Sequence, residues 1–176
     1  MKKLLITLLL IAGTSFAGQL THTTAEVDEQ LDGVYAEIYV NSNATVQVIP
    51  TGSGYTQVTN YSANGDSSLC TPDYVNNKIT LTRNGEYRLS THVSFAGSGS
   101  GNTWFGTIFA GGTELADIHF ERKIGTGGDH GSAGISGFYA CTNAPVDIDF
   151  RMRHEAGGDL NLTATYMNLN VHRIGL

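Results

Sequence analysis

The chain has 176 residues, 15% of them charged, with 22 glycines against 3 prolines and a formal net charge of −6. That length suits one domain with a real core, and the acidic balance, with no basic run beyond Lys2-Lys3 and Arg122-Lys123, argues against nucleic acid as a partner. Cys70 and Cys141 are too few for a disulfide framework and lack zinc spacing.

Residues 1–17 carry Lys2-Lys3, an apolar run and the small-residue end Ser15-Phe16-Ala17, which is a secretory-signal pattern. The run is too short to span a bilayer as an ordinary helix. Read this way, the mature chain begins near Gly18; the other reading is a retained hydrophobic segment that packs on a partner protein. Residues 18–33 are polar and read as an arm or linker with at most a turn or two of helix.

From residue 34 to residue 176 the period changes to two, the signature of half-buried strands. In 34–40, Val34, Ala36, Ile38 and Val40 share one face, and Tyr35, Glu37 and Tyr39 the other. Residues 45–50 and 56–61 repeat the pattern more weakly. Ile79 and Leu81 alternate with Thr80 and Thr82, then Asn84-Gly85 interrupts, then Tyr87, Leu89, Thr91, Val93 and Phe95 alternate with polar residues. Asn-Gly between two such runs predicts a β-hairpin with one buried face. Further strands are predicted at 104–110 and 114–121 around a Gly111-Gly112 turn, then at 135–142, 146–154 and 160–174, with a glycine loop over 124–134. About ten short strands and no sustained helical period give an all-β jelly-roll β-sandwich with a short N-terminal arm. An immunoglobulin-like sandwich is the competitor, because Cys70, Trp104 and Cys141 stand in the order that fold uses.

Few residues point to chemistry. There is no G-x-S-x-G elbow and no phosphate loop, since Gly97–Gly101 lacks the Lys-Ser/Thr and the following helix. The histidines form no metal-binding helix motif. His119 and Glu121 lie two apart on one strand face, and His92 and His172 fall on non-core faces, where copies of one residue converge if the chain forms a trimer. Asp147 and Asp149 alternate with Ile148 and Phe150, which makes them a solvated face beside Arg151 and Arg153 rather than an acid/base pair. No catalytic residue, metal or cofactor is expected. In an oxidising compartment Cys70 and Cys141 can pair; otherwise they are small buried residues.

Four stretches, in order, resemble the tumour-necrosis-factor and complement globular-head superfamily. They are Gly85-Glu86-Tyr87 followed by Val93-Ser94-Phe95; Ile108 to Gly112; Ala144 to Phe150; and Tyr166 to Leu169 with Val171 to Gly175. The 124–134 loop departs from the pattern. Heads of this kind also occur on tailed-phage fibres and virions, and the Asn/Thr/Gly surface resembles those more than animal ligands. The resemblance implies a ten-strand jelly roll, a homotrimer, and a binding or structural role. The expected function is a non-enzymatic virion or fibre-head protein that binds a host surface glycan or another virion component, the latter through the arm. An exported bacterial adhesion domain of the same fold is the alternative, and a carbohydrate-active hydrolase a remote third.

Two surfaces follow. Tyr35, Tyr39 and Tyr166 lie opposite the apolar stripes on the first and last strands, so they are expected at the trimer interface. Twelve of the 22 glycines fall between Gly97 and Gly137. Loops 97–103 and 124–134, joined by one hairpin, should meet at one end and bind the ligand through Trp104, Asp129 and His130, with Phe105 in the core.

Overall fold

The computed structural model describes residues 33–42, 45–52, 54–99, 101–125 and 129–176. The signal-like segment 1–17 and the arm, except Gly33, lie outside the described residues. The strands, in chain order, begin with β1 (Tyr35–Asn41), β2 (Val46–Ile49), β3 (Thr56–Gln57), β4 (Ala63–Ser68), β5 (Cys70–Asp73) and β6 (Lys78–Leu81). They continue through β7 (Gly85–Gly97), β8 (Thr103–Ala110), β9 (Thr113–Lys123), β10 (His130–Cys141), β11 (Val146–His154) and β12 (Leu160–Gly175).

These strands form two antiparallel six-stranded sheets, a jelly-roll sandwich. The first runs β10-β7-β12-β1-β4, with β2 also on β12; the second runs β5-β6-β11-β8-β9, with β3 also on β11. The inward faces meet in one core that includes Ile38, Leu89, Phe95, Trp104, Ile108, Phe150 and Leu169.

Asn84-Gly85 does not close a hairpin. β6 pairs with β5 and β11, whereas β7 pairs with β10 and β12, so the turn takes the chain from one sheet to the other. Both runs still face one core, but from opposite sides. Gly85 adopts φ 144°, the Asn84 Oδ1 accepts the Ala144 N–H at 2.8 Å, and Tyr87 donates its hydroxyl to the Arg83 carbonyl at 2.9 Å. The corner is therefore tied down on both flanks. Gly111 and Gly112, at φ 56° and 80°, do close a hairpin, between β8 and β9; two successive positive φ values match the twist of the strands they join.

β4 and β5 are strands that alternation does not reveal. Their sequences, ANGDSS and CTPD, are polar and include Pro72, and each is the edge of its sheet. Edge strands tolerate such residues because one side of the ladder is unpaired. Leu69, at φ 53°, turns the chain between them.

The described part of the 124–134 segment is not all loop. His130 to Gly134 pair with Ala96 to His92 as the first third of β10. The glycines there make room: a Cβ on Gly131 would overlap the Ile124 side chain, and one on Gly137 would lie 2.5 Å from Ile118. Neighbours from β9 and its exit thus fill the space that side chains would have taken.

Candidate functional site

Trp104 is not a surface residue. It is 0% exposed, packed edge-on to Phe95 with ring centroids 5.8 Å apart and to His154 at 5.2 Å. A Cβ on Gly97 would come within 2.6 Å of the indole, so the glycine is what admits it. The indole N–H finds no acceptor. Phe105, one residue on, points to the opposite face and is half-buried there, which reverses the expected assignment. The described parts of the two loops do meet: Gly101 N–H donates to the Ile124 carbonyl, and Ile124 N–H to that of Asn102. Asp129 and His130 are exposed. The Asp129 carboxylate is engaged by the Gly125 N–H at 3.0 Å.

The outer face of the first sheet is shaped differently. Register sets residues in rows across β10, β7, β12 and β1: Phe138, Arg88, His172 and Tyr35 in one, Gly134, His92, Asn168 and Tyr39 in another, Ser132, Ser94, Tyr166 and Asn41 in a third. The structure thus brings Tyr39 and Tyr166 into adjacent rows and sets Tyr35 and Phe138 at opposite ends of the first of these rows, with Arg88 and His172 between them. Tyr166 faces outward because a bulge between Ala164 and Tyr166 shifts the phase of β12. Between the rows lies an open hollow of about 730 Å³ lined by Glu37, Tyr39, His92, Tyr166 and Asn168 among others. Asn168 ties its floor, donating to Glu37 Oε1 at 3.3 Å and accepting from the His92 N–H at 3.1 Å. Among the described residues, the Tyr39 and Tyr166 hydroxyls and the His92 ring make no hydrogen bond within the chain. Glu37 is the one carboxylate among the lining residues, so the hollow has donors and aromatic walls for binding but no carboxylate pair for acid/base work. Glu37, His92 and Asn168 are invisible as a group in the sequence, because only the strand order joins them.

The outer face of the second sheet is covered by its own contacts. Asp147 accepts from Lys78 Nζ at 2.7 Å and from the Thr80 hydroxyl at 2.6 Å. Partial burial pushes its carboxyl up, but those two hydrogen bonds outweigh this and hold it below the usual range. Asp149 takes both Nε and Nη2 of Arg151, whose guanidinium lies 4.1 Å over the Phe109 ring. Asp147 and Asp149 are thus each bonded to a cation. His119 and Glu121 are exposed on β9, and among the described residues no cluster of three metal-ligating side chains forms. His92 and His172 lie on one face of paired strands but in separate rows.

Cys70 and Cys141 are buried free thiols in this structure. They belong to edge strands of different sheets, β5 and β10. Burial pushes the Cys70 thiol up to about 11 and the Cys141 thiol up as well, which keeps them protonated and poorly nucleophilic.

No family model matches the chain, and no curated protein matches it in sequence. Among solved structures, the chain is similar to the crystal structure of murine APRIL at pH 5.0, at 14% identity and a TM-score of 0.53, covering 81% of this chain and 99% of that one. At that identity the likeness concerns the fold: a jelly roll of the tumour-necrosis-factor type.

Proposed function

We propose that the chain is a non-enzymatic head domain that self-associates as a trimer through the outer face of its first sheet. We place it in a tailed-phage virion or fibre tip, where it binds a host surface glycan or another virion component, with residues 18–33 as the attaching arm. The observation behind the trimer is the set of aromatic side chains left in water on that face, with Tyr35 38%, Tyr166 53% and Phe138 65% exposed. The opposite side of the same strands already fills the core, so these rings are surplus to folding. Exposed aromatics around a hollow ask for a partner surface, and a second copy is the partner always at hand. An exported bacterial binding domain of the same fold is the second reading, supported by the signal-like pattern of residues 1–17.

Light scattering on the purified chain at micromolar concentration tests self-association: a mass near three times 18.8 kDa is expected, and a clean monomer overturns it. Intact mass of the native particle or secreted protein separates the two settings. A mass that includes residues 1–17 rejects cleavage and with it the exported reading.

A further inference from the structure

Arg153 lies on β11 directly opposite Phe105 of β8. Its guanidinium carbon sits 3.8 Å from the centroid of the Phe105 ring and 5.3 Å from that of Tyr55. Two rings from separate parts of the chain therefore fix the position of one cation. Arg151, two residues earlier, is held over Phe109 in the same manner, but its fork is closed by Asp149. Arg153 has no such closure. Among the described residues, no acceptor meets its N–H groups and no carboxylate lies within ion-pair range of it. It is half-buried, so its edge still reaches solvent.

A guanidinium stacked on rings spends its faces and keeps its edge. That edge presents N–H donors in a planar fork that fits a carboxylate or a phosphate with two parallel hydrogen bonds. Stacking also removes much of the rotamer freedom that a free arginine would lose on binding, so the fork is preorganised. On the far side of Phe105, Glu121 of β9 is its register partner. Two strand spacings put Glu121 about 10 Å from Arg153, within the span of one or two sugar rings. A carboxylate there accepts from hydroxyl groups. Fixed cation, apolar floor and hydroxyl acceptor in one row match a polyhydroxylated anion.

We propose that Arg153, held by Phe105 and Tyr55, is a binding site for the anionic group of a surface polysaccharide, carboxylate or phosphate, with Glu121 receiving hydroxyl groups of the adjoining sugar. The polysaccharide as source rests on the binding-head reading above; the clamp lies on the other sheet and uses none of the self-association face.

The test is titration of the full chain with trigalacturonate, glycerol 3-phosphate and maltotriose, followed by calorimetry and by the arginine Nε–H resonances. Binding of trigalacturonate or glycerol 3-phosphate that moves the Arg153 Nε–H, with no binding of maltotriose, is expected; which anion binds identifies a uronate or a phosphate polymer as the source. Arg153→Gln, which keeps the cover over the rings, should weaken binding about tenfold or more, and Arg153→Lys, which keeps the charge but not the fork, should recover only part of it. Thermal midpoints of both variants confirm that they fold. Failure of both anions to bind, equal binding of maltotriose, or unchanged binding by Arg153→Gln overturns the site. Light scattering on the same samples reads the trimer separately, so loss of one result leaves the other standing.

Discussion

The two outer faces of the sandwich are made from the same alternation and finish differently. On the second sheet, Phe105 and Phe109, which point away from the core, are roofed by arginines, and two ion pairs close part of the face: Arg151 with Asp149 over Phe109, and Lys78 with Asp147. On the first sheet, Tyr166 and Phe138 have no such roof, and the polar groups around the hollow leave hydroxyls and an imidazole unspent. A face that satisfies itself is a poor site for extended protein contact, with Arg153 the gap in its cover. The face left unsatisfied is the one to which the proposed self-association is assigned. The lesson is that exposure of an aromatic matters less than whether anything on its own chain already lies across it.

The strongest way to break this contrast is to remove what both faces share. Trp104→Ala should cost about 3–5 kcal/mol, the usual loss for a buried aromatic, seen as a large drop in the urea midpoint, and both self-association and anion binding should go with it. Tyr166→Asp puts a charge into the proposed contact. It should weaken self-association by about 2 kcal/mol or more per site, read as a shift to monomer by sedimentation, with the urea midpoint of the monomer little changed. Asp149→Asn sharpens the other side of the comparison. It removes the carboxylate from a half-buried Arg151 and should lower stability by about 1–3 kcal/mol without touching the oligomeric state.

The smallest effect concerns pH. Asp147 is held below the usual carboxylate range and Lys78 above the usual lysine value by their shared hydrogen bond. The Asp147 contribution is complete above the ordinary carboxylate value and is lost as pH falls through its lower folded value. That of Lys78 is complete below the ordinary lysine value and is lost as pH rises through its higher folded value. With the Lys78 and Asp147 side chains 32% and 44% exposed, the pair should be worth under about 1 kcal/mol after solvent screening. Urea midpoints of the native chain and of Asp147→Asn should therefore stay apart down to about pH 4 and converge only as the pH falls further, through the lowered folded value of Asp147.

How much of this was legible follows from what alternation can encode. Val34 to Val40, Tyr87 to Phe95 and Met167 to Val171 announce half-buried strands, and those strands are where the alternation puts them. The jelly roll could be named because the strand count and the order of its motifs survive small errors of boundary. Asn84-Gly85 misled because a local turn signal says that the chain reverses, not which sheet it reverses into. The glycines of 130–137 misled for a related reason. Glycine in a strand reads as weakness, yet here it is the complement of Ile124, Ile118 and His92 arriving from other strands, and that fit is not written near them. Trp104 and Phe105 are adjacent aromatics, and which of them faces outward is set by distant partners, Gly97 making room for the indole and Arg153 covering the Phe105 ring. Arg153 and the hollow share this property. Each is assembled from residues that meet by register, tens of positions apart.

β12 occupies the middle of the first sheet, with β7 along one side and both β1 and β2 along the other. It also comes after the other eleven described strands in sequence. During synthesis, β1, β2 and β7 emerge with the ladder positions that β12 will fill still open, so the first sheet cannot assemble around its centre until residues 160–175 have cleared the ribosome. The hollow and its tyrosines, which depend on that assembly, come into existence only then. The aromatic face therefore depends on residues made long after Tyr35 and Tyr39.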